Sequence, residues 1–394
     1  MICRLYDLSM VRVRRMSILG IIAMLSVFAI PPAISNGNSV NSWTKVPDSS
    51  SGNQSVSALD CYTASKCVAL SALNDDVFLS SDTGHSWSVY HSIKSLGQQS
   101  GLTCTIAGVC FLYSSLWSGF ATSLHYDGIA IAKSLNGGKK WRQIYASKVP
   151  PERGQYPTFF ISSISCPTSS DCFVIDGTSS TSFILTTTNG GKTWIKSSAP
   201  KAFGAIACPT TKICYAVDGV NGSGVYKSTN ATRSWAPMPV PANYLRNPNY
   251  SPVKSYSVYT ISCQSVTWCV AGGMDVTTSN SVASYPVVWG MANGSSWLFG
   301  GGIDTSSNPA YYKSYIPSSG LSCPAKNYCL AATSYGAIID VTFINHKLEV
   351  SQDGYSPSSY SSIAALSCPT KSVCVDADRT KYLVPRFGVL TVAP

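Results

Sequence analysis

The chain has 394 residues, and its 28 lysines and arginines outnumber its 18 aspartates and glutamates, which gives a net charge of +10. Charged residues are nevertheless scarce, at 12% of the sequence, and after residue 35 the basic ones form no run. A nucleic-acid-binding protein concentrates its positive charge in a patch or stripe, so we expect no nucleic-acid partner.

The N-terminus has the layout of a secretory signal peptide. Three arginines precede an apolar run over residues 18–30, and small residues at 33–35 offer a cleavage site. We therefore predict a signal peptide over residues 1–35 and a secreted or cell-surface protein. The alternative is an uncleaved anchor, which would be the protein's only membrane contact; the run is shorter than the ~20 residues of a spanning helix.

Fourteen of the fifteen cysteines form pairs with five residues between the partners, and Cys3 is left over. Zinc sites use shorter spacings or add histidines, whereas none of the four histidines lies near a pair. Regular, even spacing in an exported chain predicts local disulfides, and we expect neither a metal nor a cofactor. The pairs are Cys61/Cys67, Cys104/Cys110, Cys166/Cys172, Cys208/Cys214, Cys263/Cys269, Cys323/Cys329 and Cys368/Cys374.

A second motif lies between the cysteine pairs. It reads SSDTGHSW at 80–87, SLNGGKKW at 134–141, TTNGGKTW at 187–194 and STNATRSW at 228–235, with a weaker copy, GMANGSSW, at 290–297. Asp or Asn accepts backbone hydrogen bonds in a turn, glycine supplies a positive φ, and the tryptophan begins the next strand. The sixth and seventh units show no copy.

This motif resembles the Asp-box, or BNR repeat, which joins the third and fourth strands of blades in several β-propeller families. The chain is similar in this respect to photosystem II assembly-factor-like, sortilin-type and sialidase-like propellers. The resemblance covers units one to four well and unit five weakly, and a cysteine pair in every unit is not general in those families. Enzymes and binding proteins share the Asp-box, so it implies the fold and not the function.

Seven units of about fifty residues predict an all-β, seven-bladed propeller of four-stranded blades over residues 36–394. In each unit the first strand ends at the first cysteine, the second leaves the second cysteine, and the third and fourth flank the Asp-box. The last unit lacks a tryptophan strand, whereas residues 42–46 read as a fourth strand without a blade. The N-terminal strand is therefore predicted to close the last blade. We expect a monomer.

The segments between one unit's tryptophan and the next unit's first cysteine vary in length and are rich in tyrosine, as is the middle of unit two. Aromatic side chains on loops of a rigid scaffold suit sugar rings or peptide surfaces. The sequence thus predicts a non-catalytic binder of a glycan or an extracellular or cell-surface protein, although such tyrosines also anchor loops. The candidate ligand-binding residues are Tyr244, Tyr250, Tyr256, Tyr311, Tyr312, Tyr315, Trp117 and Tyr126.

An alternative function is a glycoside hydrolase or lyase. Asp176 and Asp218 lie four residues after the second cysteine of neighbouring units, and paired carboxylates perform glycoside hydrolysis. Each is also followed by glycine, which fits an aspartate that caps a turn. The arginines match no sialidase-like triad, and no nucleophile or phosphate-binding motif occurs. A scaffold that assists assembly of another exported complex is a third possibility.

Overall fold

The computed structural model places every strand within one compact unit, Ser39–Pro394. The structure describes residues 42–45, 55–72, 76–91, 98–118, 125–147, 161–177, 182–218, 224–238, 253–277, 284–302, 316, 320–334, 336–345, 347–355, 363–378 and 387–391. Within these ranges there are 28 strands in seven antiparallel sheets of four. The predicted seven-bladed propeller is confirmed.

The first four blades follow the chain, and we call their strands a, b, c and d in sequence order. Blade 1 consists of β2 (Val56–Cys61), β3 (Cys67–Ser71), β4 (Asp76–Ser80) and β5 (Ser88–His91). Blade 2 consists of β6 (Gln98–Cys104), β7 (Cys110–Ser118), β8 (His125–Ser134) and β9 (Arg142–Ala146). Blade 3 consists of β10 (Ile161–Ser165), β11 (Cys172–Gly177), β12 (Ser182–Thr187) and β13 (Ile195–Ser198). Blade 4 consists of β14 (Phe203–Ala207), β15 (Cys214–Asp218), β16 (Val225–Ser228) and β17 (Ala236–Met238).

The remaining three blades include the one that closes the ring. Blade 5 consists of β18 (Val253–Cys263), β19 (Cys269–Thr277), β20 (Ser284–Met291) and β21 (Leu298–Gly302). Blade 6 consists of β22 (Leu321–Ala325), β23 (Tyr328–Ala332), β24 (Ala337–Ile344) and β25 (Lys347–Tyr355). Blade 7 consists of β26 (Ile363–Thr370), β27 (Val373–Asp378), β28 (Phe387–Thr391) and β1 (Ser42–Lys45).

The two ends of the chain meet in blade 7. Strand β1 pairs antiparallel with β28, with Ser42 opposite Thr391 and Lys45 opposite Gly388. Each a strand contacts the a strand of the next blade, and the last of these contacts joins β26 to β2. The predicted closure by the N-terminal strand is therefore confirmed, and the ring leaves no blade unpartnered.

The hydrophobic core lies between neighbouring blades. One cluster combines Val375 and Val389 of blade 7 with Phe78 of blade 1, and another combines Val174 of blade 3 with Ile129 of blade 2. Each sheet is thus covered on both faces, which is why the b strands read as continuous apolar runs rather than alternating ones. In β3 all five residues of CVALS are buried.

All seven predicted disulfides form. Each joins the end of strand a to the start of strand b, with Cα–Cα distances of 3.9 to 4.1 Å. Closing so short a loop stabilises the fold by about 2.5 kcal/mol per bridge in the chain-entropy account. Seven bridges indicate an oxidising, extracytoplasmic compartment.

The second cysteine of every pair lies in the hydrophobic core, at the start of a b strand. Cys329 of blade 6 belongs to a cluster with Val270 of blade 5, and Cys374 of blade 7 belongs to one with Leu330 of blade 6. These cysteines therefore have the predicted structural role, as disulfide partners within the core. The buried set, at most 1% exposed, is Cys67, Cys110, Cys172, Cys214, Cys269, Cys329 and Cys374.

The turns between strands c and d, which we call the c–d turns, share two hydrogen bonds from backbone N–H groups to side chains in blades 1 to 4. In blade 2 the Asn136 side chain accepts from the Lys140 N–H at 2.9 Å, and the Ser134 hydroxyl accepts from the Gly138 N–H at 3.0 Å. In blades 1 and 2 the tryptophan ring N–H adds a third bond, which in blade 2 runs from Trp141 to the Gly138 carbonyl at 2.8 Å; the tryptophans of blades 3 and 4 do not make it. Gly137 and Gly138 have φ values of +65° and +87°, which explains the glycines of the motif.

Blade 6 has the four strands predicted for it, but its c–d turn is built differently. Its strands c and d form a hairpin although no motif copy is present, and Asn345, with φ of +50°, follows the end of strand c. Asparagine tolerates this left-handed conformation better than most residues, so it replaces the glycine turn. The available signal was the Asn between two alternating runs in DVTFINHKLEV.

Candidate functional site

The propeller has two faces with different construction. We call the side that carries the a–b turns and c–d turns the turn face, and the side that carries the b–c and d–a connections the loop face. The seven disulfides lie toward the turn face, since each spans an a–b turn. Because the turn face is built in the same way in most blades, candidate binding residues are expected on the loop face or in the channel between the a strands.

Neighbouring blades are tied together across the turn face. The Lys133 ammonium at the end of strand c in blade 2 donates to the carbonyls of Ser169 and Gly190 in blade 3, at 3.2 and 3.1 Å. The Lys227 ammonium of blade 4 donates to the Gly294 carbonyl of blade 5 at 2.8 Å. The polar backbone groups of these turns are therefore occupied in holding neighbouring blades together.

The loop face is extended in two blades. Strand b ends four residues after its cysteine in β3 and β15, whereas β7 and β19 continue for eight residues. The extended parts pair with strand c, which places Trp117 opposite Tyr126 in blade 2 and Asp275 opposite Tyr285 in blade 5. Blades 2 and 5 therefore carry longer hairpins on the loop face.

Three of the eight predicted ligand-binding residues lie on the extended b strands or directly opposite them. Trp117 and Tyr126 lie in β7 and β8, and Tyr256 lies in β18, opposite Asp275 of β19. The other five, Tyr244, Tyr250, Tyr311, Tyr312 and Tyr315, lie outside the described residues. Their role stays a prediction.

The two candidate catalytic aspartates have different neighbours. Burial raises the pKa of Tyr145, a residue of blade 2, and the charge of Asp176 raises it further. Burial also raises the pKa of Asp218, while the Lys201 ammonium lowers it. Both aspartates lie within b strands rather than isolated turns, Asp176 opposite Phe183 and Asp218 opposite Phe203. Their joint action as a carboxylate pair stays a prediction.

A cavity of about 280 Å³ lies on the axis, between the a strands. It is lined by every blade, because the residue two positions before the first cysteine is aliphatic in all seven and the residue just before that cysteine is small or polar in all seven. The aliphatic set is Leu59, Leu102, Ile164, Ile206, Ile261, Leu321 and Leu366. The second set, which we call the inner ring, is Asp60, Thr103, Ser165, Ala207, Ser262, Ser322 and Ser367.

Inner-ring side chains bind the backbone of the next blade. The Ser165 hydroxyl accepts from the Cys208 N–H at 2.9 Å, and the Ser322 hydroxyl accepts from the Cys368 N–H at 3.0 Å. The Ser367 hydroxyl accepts from the Cys61 N–H at 2.8 Å across the closure between blades 7 and 1. These bonds satisfy N–H groups on the inner edges of blades 1, 4 and 7, which explains the serine before the first cysteine in blades 3, 6 and 7.

Asp60 is the acidic member of the inner ring. Its carboxylate accepts from the Cys104 N–H of blade 2 at 2.7 Å and from the Ser367 hydroxyl of blade 7 at 3.4 Å. It is partly accessible at the cavity wall although protein surrounds it. Burial raises its pKa to about 6, against the opposing effect of the two hydrogen bonds. Aligning the residue before each first cysteine would have revealed it, since blade 1 reads DC where blades 3, 5, 6 and 7 read SC.

Tyr113 reaches the cavity wall from strand b of blade 2. A Cβ placed on Gly101, directly opposite it, would lie 2.0 Å from its ring. The Tyr113 ring therefore occupies space that is open only because Gly101 has no side chain. Among the described residues that line the cavity, the two titratable groups are therefore Asp60 of blade 1 and Tyr113 of blade 2.

Neither a metal centre nor a membrane span is found in the part of the chain that the structure describes. No group of three or more histidine, cysteine, aspartate or glutamate side chains is arranged there to hold a metal ion. Those ranges also contain no helix long and apolar enough to cross a bilayer.

The fold is similar to several solved propellers. YCF48 bound to D1 peptide has a TM-score of 0.55 and 11% identity, covering 90% of this chain and 97% of that one. Selenomethionine-substituted virginiamycin B lyase from Staphylococcus aureus has a TM-score of 0.59 and 9% identity, covering 89% and 99%. The GH74 enzyme of Niastella koreensis has a TM-score of 0.54 and 12% identity, covering 87% and 53%.

No protein-family model and no curated protein sequence matches the chain. The solved neighbours include a peptide-bound protein, a lyase and a glycoside hydrolase. At such low identity they establish the propeller architecture, and function has to be argued from the residues of this chain.

Proposed function

We propose that the protein is an exported, non-catalytic β-propeller that binds a protein or a glycan on its loop face. The observation that carries this proposal is the extension of blades 2 and 5 on that face. Strands β7 and β19 continue four residues past the end of the shorter b strands, and Trp117, Tyr126 and Tyr256 lie on or beside the extensions.

The turn face supports this assignment because its polar groups are already engaged in bonds within the protein. On the turn face, polar groups bond within their own turns or to the next blade, as at Lys133 and Gly190. Binding sites on propellers and other rigid scaffolds are carried by segments that the scaffold does not constrain. The tyrosine-rich connections of this chain are such segments, and tyrosine offers both an apolar ring and a hydroxyl.

Export is part of the proposal. The N-terminal layout over residues 1–35 fits a signal peptide, and seven disulfides require an oxidising compartment to persist. The structure of YCF48 bound to D1 peptide, a propeller with a similar fold, supports a polypeptide ligand. We therefore rank a protein ligand first and a glycan second.

Two screens identify the ligand class: an immobilised glycan panel and a library of displayed peptides. The test compares Trp117→Ala/Tyr126→Ala and the triple change of Tyr311, Tyr312 and Tyr315 to alanine with the native protein. We expect at least a tenfold loss of affinity for any ligand found, because truncated aromatic anchors commonly cost that much. Unchanged affinity in both variants contradicts the site.

A matched control comes from the turn face. Ile106 and Leu135 of blade 2 are 84% and 74% exposed, so a change of either to serine alters accessible apolar surface without disturbing the core. The proposal expects Ile106→Ser/Leu135→Ser to bind like the native protein. If this control loses binding instead, the turn face is the interaction surface.

The second candidate function, a glycoside hydrolase or lyase, is supported by the raised pKa of Asp218. Burial raises this pKa, as is usual for a general acid in a glycosidase. The discriminating assay measures turnover of a panel of aryl glycosides by the native protein, Asp176→Asn and Asp218→Asn. Turnover that either change abolishes supports the enzyme. If the native protein shows no turnover, the result favours the binding function.

A further inference from the structure

We propose that the axial cavity is a binding site for an organic cation with N–H donors, either an ammonium or a guanidinium group, with Asp60 as its counter-ion. This site is separate from the loop-face aromatic residues and goes beyond the proposed function. Its basis is the position of one carboxylate in a cavity of about 280 Å³ that is otherwise lined by uncharged side chains among the described residues.

The charge of the cavity opposes that of the protein. The whole chain carries +10, yet the charged side chain in the described lining is an aspartate. The same position holds serine in four blades, threonine in one and alanine in one, so the ring does not need a carboxylate for its architecture. Ser165 and Ser322 accept the next blade's N–H as Asp60 does.

The hydrogen-bonding character of the wall also selects a donor. Five N–H groups on the inner edges already donate to inner-ring or neighbouring side chains: those of Cys61, Cys104, Ile206, Cys208 and Cys368. The hydroxyls can still donate and accept, and the Asp60 carboxylate is the one charged group in the described lining, which accepts only. An ammonium or guanidinium group has donors and no acceptor, and a charged acceptor roughly doubles the strength of a hydrogen bond.

The size and composition of the cavity distinguish an organic cation from a metal ion. The inner ring supplies one carboxylate, and none of the described residues assemble three metal-ligating side chains. Aliphatic residues from all seven blades lie beside the inner ring. A ligand with a charged head and an apolar stem, such as a lysine or arginine side chain or a free alkylamine, matches this combination.

Binding at Asp60 is expected to depend on pH. The strands packed against β2 are β3, β6, β26 and β27, and the first three carry no charged residue. In β27, Val375 and Ala377 pack against blade 1, so the intervening Asp376 lies on the other face; the Asp378 side chain lies outside the described residues. Tyr113 is the other titratable group at the cavity wall.

Burial, and not a neighbouring charge, is the first cause of the raised pKa of Asp60, which is about 6. A cation bound beside the carboxylate stabilises its ionised form, so cation binding and deprotonation favour each other. At pH 5 about one-tenth of the carboxyl groups are ionised, and the apparent affinity should be about tenfold lower than at pH 7.5.

The experiment titrates n-butylammonium and n-butylguanidinium into the full-length protein at pH 7.5 and pH 5, with calorimetry and the Asp side-chain carboxyl carbon resonance as readouts. Tetramethylammonium is the matched control, because it has the same charge and no N–H donor. We expect tetramethylammonium to bind at least about tenfold more weakly. Equal binding of the three cations, or no binding of either probe, overturns the proposal.

The variant Asp60→Ser gives blade 1 the residue of blades 3, 5, 6 and 7, and is expected to lower the affinity for n-butylammonium at least about tenfold. Asp60→Asn keeps the shape and serves if the serine variant does not fold. Native affinity in either folded variant overturns the proposal. A blocked Gly-Lys-Gly peptide separates the two sources: competition with n-butylammonium assigns the site to polypeptide side chains, and its absence assigns the site to free amines.

Discussion

The turn face and the loop face of this propeller are built from the same strands, yet they obey different rules. On the turn face the seven disulfides and the repeated c–d turns fix the backbone, and Lys133 and Lys227 extend the bonding into the next blade. On the loop face the strand lengths differ between blades, with β7 and β19 the longest of the b strands. The features that repeat in most blades therefore stabilise the fold, and the segments that differ between blades are the candidate binding sites.

The comparison predicts its largest stability effect at a turn-face glycine. Gly138 has φ of +87°, and a Cβ there would lie 2.9 Å from Leu79 and 3.1 Å from Val68 of blade 1. Gly138→Ala combines backbone strain with overpacking and should lower the free energy of unfolding by about 3 kcal/mol. Urea denaturation of native and variant protein at pH 7 measures it.

A loop-face glycine provides the matched control. Gly224 precedes strand c of blade 4 and has no left-handed φ, and a Cβ there would meet the outer ring atoms of Tyr226. These atoms are the far end of a partly buried side chain, so a small shift of the Tyr226 ring should accommodate the methyl group. Gly224→Ala should therefore change the free energy of unfolding by less than about 1 kcal/mol. If the two substitutions cost the same, the faces do not differ in rigidity.

The second effect in size concerns the inner ring. Because the folded-state pKa of Asp60, about 6, exceeds its ordinary value of 3.8, the folded protein binds more protons than the unfolded chain between these pH values. The contribution of Asp60 to stability is thus greatest at low pH and is lost as the pH rises toward 6.

The variant Asp60→Asn removes this titration. It should be about 2 kcal/mol more stable than the native protein at pH 7.5, and the two should converge near pH 4. Unfolding curves across this pH range measure the difference. Parallel stability curves would show that Asp60 titrates normally.

The smallest effect is expected where blade 4 departs from the turn pattern. Ala231 has φ of +57° at the position that Gly137 and Gly190 occupy in blades 2 and 3. Ala231→Gly relieves this strain but increases the entropy of the unfolded chain, and the net gain should be about 0.5 kcal/mol. A thermal melt that shows a lower midpoint for the variant contradicts the role assigned to glycine in these turns.

Local repetition made much of the fold predictable. Seven cysteine pairs, the c–d turn motif and the isolated strand at 42–46 each lie within a short stretch, and the disulfides, the turns and the closure of blade 7 follow from them. The four strands of blade 6 were predicted, but its c–d turn was not identified because Asn345 replaces the motif. Strand lengths in blades 2 and 5 were also missed, since pairing over Leu116–Ser118 depends on the partner strand and not on local sequence.

The candidate cavity was not predictable in the same way. It joins residues that are distant in the chain, such as Asp60 and Ser367, which meet only when the ring closes. No window of sequence contains that contact. The observable sign was one acidic residue, Asp60, at a position that is otherwise small or neutral, and its meaning depends on knowing that the a strands face the axis.

We claim that the loop face binds the ligand and that the turn face stabilises the fold. One paired measurement on Trp117→Ala/Tyr126→Ala and Gly138→Ala tests this claim most directly. Affinity for the ligand found in the glycan or peptide screen and the free energy of unfolding are determined for both. We expect the aromatic variant to lose at least tenfold in affinity with nearly native stability, and the glycine variant to lose stability with native affinity while folded. The reverse pattern, or loss of both properties in both variants, would contradict the division between the faces.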